Sequence, residues 1–272
     1  MLRGACLTTT ALLSSLPALA ADLSSRNYPP PIPAPAAYSW AGLYGGLHAG
    51  YGWGRGKGDH DCYDPTGELN APTCQILPNG ADAISPSKGS VIGGQIGYNW
   101  QYQQLVFGAE ADIAKSSTKS SNTIPGPFTF SDPSFGLALP AGVYRSKAEL
   151  NWLGTLRLRA GYAVLDRLLI YATGGLAYGQ VKGQSLFTSP SLDLTYAGSE
   201  TDTKYGWVLG GGVEYALTDN WSLRAEGLYY DLGKTRVTGN ENPLFFAPSG
   251  YQHNTWFDQT GGIGRVAVNY KF

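Results

Sequence analysis

Apolar and polar side chains alternate with a period of two in separate segments of the chain beyond residue 40. Successive side chains of a β-strand point to opposite faces, so this alternation predicts strands. The eight segments cover residues 41–53, 92–100, 105–113, 149–162, 170–179, 205–215, 221–230 and 265–272. Each is about ten residues long, which is the length that a tilted strand needs to cross the hydrocarbon core of a membrane.

The connections between these segments alternate between long and short. The long ones are residues 54–88, 115–147, 182–203 and 234–257, and the short ones are 101–104, 163–167 and 217–220. Outer-membrane barrels have long loops outside the cell and short turns in the periplasm. The alternation therefore predicts an all-β fold: an eight-stranded antiparallel transmembrane β-barrel in the cell outer membrane, with long extracellular loops, short periplasmic turns and both termini periplasmic.

Aromatic residues on the apolar faces fall at two levels. One set lies near the short turns, at Tyr98, Tyr162, Tyr215 and Tyr270, and the other lies near the long connections, at Tyr51, Trp53, Tyr178, Tyr205 and Trp207. Membrane barrels carry such girdles at both interfaces. A water-soluble β-sandwich gives a similar alternation but has no reason to sort its aromatic residues in this way.

The N-terminal segments differ in composition from the rest of the chain. Residues 1–20 combine Arg3, an apolar stretch and a small-residue ending at Ala18-Leu19-Ala20, which predicts a cleavable signal peptide. Residues 21–39 are rich in proline, which favours an extended periplasmic tether. The barrel domain is then expected over residues 40–272.

Charge and cysteine content narrow the classes of partner. The formal net charge is −1, so the chain lacks the basic excess typical of nucleic-acid-binding proteins, and no nucleic-acid partner is predicted. Cys62 and Cys74 lie close together in a segment rich in Asp, Gly and Pro. In a secreted chain they predict a disulfide, whereas metal ligation would need further ligands at a zinc spacing. No metal is predicted.

Charged residues of both signs lie on the polar faces of the predicted strands. They are Glu110, Asp112, Glu149, Glu214 and Glu226 together with Arg157, Arg159, Arg224 and Arg265. Inside a closed barrel such groups can pair, and an eight-stranded barrel is just wide enough to be filled by side chains. The sequence predicts an ionic network that plugs the lumen; a catalytic carboxylate set or an ion path is the alternative. Glycines on the same faces would make room for these side chains.

The sequence gives little support for catalysis. The chain has three histidines, His48, His60 and His253, and none lies in a recognisable nucleophile motif, so no enzymatic activity and no cofactor are predicted. Closure of the barrel would bring the connection that holds His60 next to the one that holds His253. Haem ligation by that pair is a further hypothesis.

Several motifs resemble one known family. Residues 40–46, WAGLYGG, and 49–54, AGYGWG, look like the first strand of the alphaproteobacterial outer-membrane immunogenic proteins, the RopB-like porin family. Residues 169–179 and 210–215 resemble its fifth and sixth strands. The final segment, with Val268, Tyr270 and Phe272, is similar to the signal by which the barrel assembly machinery recognises its substrates.

The resemblance implies an OmpA-like membrane domain, a role in envelope integrity and surface antigenicity. Small-solute diffusion is the competing function, and some relatives are described as haemin-binding. The expected partners are outer-membrane lipid and lipopolysaccharide, the assembly machinery during biogenesis, and a host or cell-surface ligand. The long first loop with Cys62 and Cys74 departs from the family pattern.

Overall fold

Eight long antiparallel strands close into a barrel in the computed structural model of the protein. The structure describes residues 38–54, 58–63, 86–126, 128–129, 138–139, 142–190, 194–241 and 252–272. The strands are β1 (Gly42–Gly54), β2 (Gly58–Tyr63), β3 (Ser87–Tyr102), β4 (Leu105–Pro125), β5 (Phe128–Thr129), β6 (Ala138–Leu139), β7 (Val143–Leu165), β8 (Leu168–Ser189), β9 (Leu194–Ala216), β10 (Trp221–Glu241) and β11 (Gln252–Lys271). The predicted all-β, eight-stranded fold is confirmed.

Closure of the barrel joins the first long strand to the last. Neighbours follow the order β1, β3, β4, β7, β8, β9, β10, β11, and β11 pairs in turn with β1, placing Leu47 opposite Val268. The short strand β2 pairs with the first residues of β11, beyond the part that pairs with β1. Every long strand thus has two neighbours, although the pairing of β9 with β10 is interrupted between Trp207 and Ala197 at one end of the barrel.

The alternating pattern places apolar side chains on the outside of the barrel. Leu47 is 75% exposed and Leu158 is 71% exposed, whereas the inward-facing Val106 is 1% exposed. Both predicted aromatic sets lie on this outer face, and they pack with further aromatic residues, as Trp152 does with Tyr178. Within the described part of the chain, no helix is both long enough and apolar enough to cross a membrane.

The two ends of the barrel differ. At one end, here called the turn end, short turns follow β3, β7 and β9; Gln103, in the first turn, has a φ of 54°. At the other, the loop end, the strands run much further than the alternation predicts. Strands β7, β8 and β9 contain 23, 22 and 23 residues, so much of residues 115–147 and 182–203 is strand rather than loop. These extensions are rich in Ser, Thr, Lys and Gly on both faces, which weakens the alternation.

Some predictions concern residues outside the described part of the chain. The signal peptide at residues 1–20, most of the tether at 21–39, and Cys74 belong to this group. For Cys62, His60 and His253 the structure describes the backbone alone. The disulfide and the signal peptide therefore stay predictions.

Candidate functional site

Buried ionic side chains form a network in the middle of the barrel interior. Arg157 of β7 contacts three carboxylates: it donates to Glu226 at 2.9 Å, to Asp112 at 2.9 Å and to Glu110. All four residues are at most 7% exposed. A planar guanidinium with several fixed donors suits this bridging role, because it can satisfy carboxylates on more than one side.

Three further arginines complete the network. Arg159 donates to Glu214 at 2.9 Å. Arg224 lies between Glu214, at 3.0 Å, and Glu110. Arg265 of β11 reaches Glu226 at 2.6 Å and Asp112 at 3.3 Å. Among the described residues, the structure thus brings together eight of the nine ionic residues that the sequence assigned to the lumen, with four charges of each sign.

Neutral side chains tie the remaining strands to this network. Tyr44 of β1 donates to Glu110 at 2.6 Å, and Tyr171 of β8 donates to Glu226 at 2.8 Å. Gln95 of β3 donates to Asn269, which itself donates to Glu214. Each of the eight long strands therefore contributes a side chain. The alternation placed both tyrosines on the polar face, but nothing in the sequence alone indicated which carboxylate each would contact.

Glycines provide the space that the two tyrosines occupy. A Cβ atom built on Gly97 would lie 2.5 Å from Cζ of Tyr44, and one built on Gly212 would lie 2.8 Å from Oη of Tyr171. Such separations are too short for real contacts, so a side chain at either position would require the ring or the neighbouring backbone to move.

Apolar layers lie on both sides of the ionic network. Towards the turn end, Trp40, Val106, Leu169 and Ala216 pack together with the ring of Tyr171. Towards the loop end lies a larger cluster, which contains Val91, Ala114, Leu150, Leu153, Ala177, Val181, Val208, Leu228, Tyr230, Leu232 and Ile263. A cavity of about 20 Å³ beside Leu150 and Tyr230 is about the size of a single water molecule.

The loop-end apolar layer was not predicted from the sequence. Its signal was present, because several strands have consecutive apolar residues at the corresponding level, as in Trp207-Val208-Leu209 and Leu228-Tyr229-Tyr230. A strand that is apolar on both faces contacts lipid on one side and an apolar interior on the other. The interior is therefore layered rather than uniformly polar.

Residues before the first strand pack against the turn end of the barrel. The backbone N–H of Trp40 donates to the side chain of Gln101 at 2.6 Å, and the indole is 3% exposed. Tyr38 packs edge-on against Trp40 with ring centroids 4.9 Å apart. Partial burial, reinforced by the negative charge of Glu214, raises the pKa of Tyr38 to about 12. Tyr38 and Trp40 thus cover the interior at this end.

Glu149 is the ionic residue that the structure does not place in the lumen, and its prediction is corrected. In β7, Leu150 pairs with Val181 and Trp152 pairs with Gln180, so Asn151 is an extra residue that forms a β-bulge. The bulge shifts the alternation by one residue. Glu149 consequently lies on the outer face with Lys119 at 3.5 Å and Lys147, whereas Leu150 is buried in the interior.

The histidines and the C-terminal residues singled out in the sequence do not belong to the centre of the ionic network. His48 is buried, with Nε2 3.3 Å from Arg265. The backbone register places His253 opposite Cys62, and His60 two positions further along, opposite Thr255. Val268, Tyr270 and Phe272 lie on the outer face, where Tyr270 packs against Trp221.

A closed antiparallel barrel with an apolar outer belt, aromatic residues at both levels and a paired ionic interior defines an integral outer-membrane β-barrel protein. The family model described as "Outer membrane protein beta-barrel domain" matches residues 8–272. The chain belongs to this family of outer-membrane β-barrels, and its predicted kinship with the alphaproteobacterial outer-membrane immunogenic proteins is confirmed by its relatives.

Two such relatives come from Brucella melitensis biotype 1. The chain is 34% identical over 277 residues to the 31 kDa outer-membrane immunogenic protein, with 100% of both chains covered. It is 31% identical to the 25 kDa outer-membrane immunogenic protein, with 100% of this chain and 99% of the other covered. Among solved structures, the outer membrane protein OprG from Pseudomonas aeruginosa gives a TM-score of 0.46 at 14% identity, covering 85% of this chain and 96% of that chain.

Proposed function

We propose that the protein is a structural and surface-interaction component of the outer membrane, without catalytic activity. Its turn end and both termini face the periplasm, and its loop end faces the cell exterior. In this role the barrel contributes to envelope integrity and displays its connections as surface antigens. The names of the Brucella relatives, which describe immunogenic outer-membrane proteins, support the antigen role.

The filled interior is the observation that carries this proposal. Arg157, Arg224 and the carboxylates between them occupy the middle of the barrel, and apolar layers lie above and below. A solute would have to displace paired charges from one another, which is costly in a low-dielectric interior. This arrangement favours a filled barrel over the alternative of small-solute diffusion.

Planar-bilayer recordings of the refolded protein test the filled barrel. Folding is first verified by heat-modifiable migration on gels, and a general porin serves as the positive control. We expect no stable channel openings from the folded protein. Stable openings would contradict the proposal and favour passive diffusion of small solutes.

The surface role and the orientation require tests in cells. A peptide tag in the connection between β4 and β7 should bind antibody on intact cells, whereas a tag before Trp40 should bind only after permeabilisation. A deletion strain should be more sensitive to detergents, and the wild-type gene should restore resistance. The reverse labelling pattern would refute the orientation, and an unchanged detergent sensitivity would refute the role in envelope integrity.

Haemin binding at the loop end is a second candidate function. The pairing of β2 with β11 supports it, because this pairing holds the backbones of His60 and His253 on neighbouring strands. Haemin titration should then show a Soret shift that is lost in the His60→Ala, His253→Ala double variant. The same shift in wild type and variant would exclude this pair as the ligands.

The proposed partners follow from the location. They are outer-membrane lipid and lipopolysaccharide around the barrel, a host or cell-surface ligand at the loops, and the barrel assembly machinery. The outward positions of Val268, Tyr270 and Phe272 are compatible with recognition by that machinery. Replacing Phe272 by Ser should lower the amount of folded protein in outer membranes without changing refolding in vitro, and unchanged levels in cells would argue against the signal.

A further inference from the structure

Lysines and one arginine gather on the outer face of the barrel beyond the aromatic residues of the loop end. Backbone pairing places Lys88 opposite Lys119, Lys119 opposite Glu149, and Glu149 opposite Lys182. Directly paired residues of antiparallel strands lie on the same face. These four residues therefore form a row across β3, β4, β7 and β8, here called the cationic belt.

Further cations lie next to the cationic belt, both towards the loop end and towards the turn end. Lys147 and Arg145 follow Glu149 towards the loop end on the same face of β7, and Lys115 pairs with Trp152 on the other side of the belt. On the outer face of these four strands, the described residues thus include six cations, whereas Glu149 is the single acid. Glu149 forms ion pairs with Lys119, at 3.5 Å, and with Lys147.

The opposite side of the barrel does not share this excess. Towards the loop end of β10 and β11, beyond their apolar outer residues, Lys234 lies 3.7 Å from Asp258. Arg236 contacts Asn254 and the ring of Trp256. Asp231 lies nearby at the same end of β10. Among the described residues on this side, the two cations are matched by two acids. The excess on β3 to β8 is consequently a local feature and not a general property of the projecting strands.

The position of the belt corresponds to the level of lipid headgroups. Trp152, Tyr178 and Tyr205 lie directly below it on the outer face, and aromatic residues mark the membrane interface. On the loop-end side of the belt, a groove of about 600 Å³ extends across β4, β7, β8 and β9 and is lined by Ser121, Thr123, Arg145, Gln184 and Ser199. Hydroxyl, amide and guanidinium groups of this kind are suited to bind sugar hydroxyls and phosphates.

From this arrangement we propose that the outer face of β3, β4, β7 and β8, together with the groove that extends to β9, binds lipopolysaccharide. The phosphates of the lipid A headgroup contact Lys88, Lys119 and Lys182 of the cationic belt, and the first sugars lie in the groove beside Arg145. The acyl chains then lie along the apolar residues below. This site rests on the proposed orientation, because it requires the loop end to face the leaflet that contains lipopolysaccharide.

Binding of purified lipopolysaccharide to the refolded full-length barrel in detergent tests the site. The belt variant Lys119→Gln, Lys182→Gln is compared with the matched variant Lys234→Gln, Arg236→Gln, which loses the same charge on the opposite side. We expect the belt variant to bind at least about tenfold more weakly and the matched variant to bind like wild type. Heat-modifiable migration verifies that each variant is folded.

Two further comparisons distinguish specific binding of lipopolysaccharide from nonspecific electrostatic attraction of anionic lipids. Glu149→Gln should bind more tightly than wild type, because it removes the single acid among the cations. Dephosphorylated lipid A should bind weakly, and vesicles of phosphatidylglycerol should not compete. Three results would each overturn the proposed site. They are an equal loss of lipopolysaccharide binding in both double variants, effective competition by phosphatidylglycerol, and a folded wild-type protein that does not bind lipopolysaccharide. The epitope tags described above test the orientation separately, so a wrong orientation can be distinguished from a wrong binding site.

Discussion

The hydroxyl group of Tyr44 donates a hydrogen bond to Glu110 across the barrel interior, with the two oxygens 2.6 Å apart. Tyr44 lies on β1 and Glu110 on β4, and β3 separates the two strands in the sheet. Both side chains are 4% exposed. Backbone pairing alone would hold β1 only to its immediate neighbours, so this contact adds a direct link between the first strand and the ionic network.

Tyr44→Phe should destabilise the folded barrel by about 1–3 kcal/mol, because it removes a donor from a buried carboxylate. The free energy of unfolding is measured by urea titration of the protein refolded in lipid vesicles. Tyr51→Phe is the matched control, since Tyr51 is on the outer face and 50% exposed. Equal stabilities of the two variants would argue against a contribution of this hydrogen bond.

Arg157→Met should have a larger effect, because Arg157 lies among Glu110, Asp112 and Glu226. The substitution keeps much of the side-chain volume but leaves the four buried carboxylates of the network with only three arginines. We expect a loss of about 3–5 kcal/mol in the same unfolding assay.

The matched substitution is Arg167→Met in the turn after β7. Arg167 pairs with Asp219 at 3.0 Å, but the side chains are 42% and 84% exposed. An exposed pair of this kind contributes about 0–1 kcal/mol. If Arg157→Met were no more destabilising than this control, the ionic network would not be important for stability.

The outcome for Glu149 shows where sequence reasoning about this barrel reaches its limit. Arg157 and Arg159 were assigned to the interior correctly because the alternation runs without interruption from Leu153 to Tyr162. The bulge at Asn151 then reverses the assignment for Glu149 and Leu150. A bulge depends on the register with both neighbouring strands, so the local alternation gives no sign of it.

The strand extensions and the inner apolar layers were missed for related reasons. Beyond the membrane the outer face contacts water, so the segment from Lys115 to Thr123 has polar residues on both faces and reads as a loop. Val208 and Leu228 lie next to outward apolar residues, which hides their inward orientation. Strand number and order were predictable because lipid imposes alternation on every strand, whereas contacts across the interior depend on which strands meet there.

Gly97→Ala should destabilise the barrel through its effect on Tyr44. The added methyl group would overlap the tyrosine ring, which must move away from Glu110 or push the strands apart. Overpacking of this kind costs about 1–3 kcal/mol. In Gly227→Ala, the new Cβ would have no atom within 4 Å, so we expect a neutral or slightly stabilising change. Similar stabilities of both variants would contradict the proposed close packing around Tyr44.

The contact between Tyr38 and Trp40 should weaken at alkaline pH. Burial raises the pKa of Tyr38 to about 12 from the ordinary tyrosine value of 10.0, so the folded state favours the neutral phenol. A group whose pKa is higher in the folded state than in the unfolded state stabilises the fold fully at pH values below its unfolded-state pKa. This stabilisation is lost as the pH rises through its folded-state pKa. The contribution of Tyr38 should therefore decline between about pH 10 and pH 12.

Tyr38→Phe isolates this effect, because phenylalanine keeps the ring contact with Trp40 but cannot ionise. The difference in unfolding free energy between wild type and this variant is measured from pH 8 to pH 12, and it should shift in favour of the variant above pH 10. Tyr102→Phe provides the comparison at a tyrosine that is 72% exposed. The other titrating groups remain in all three proteins, so the effects of those that do not contact Tyr38 cancel in the differences. A constant difference between wild type and Tyr38→Phe over this range would show that the hydroxyl of Tyr38 is not held in the partly buried position described here.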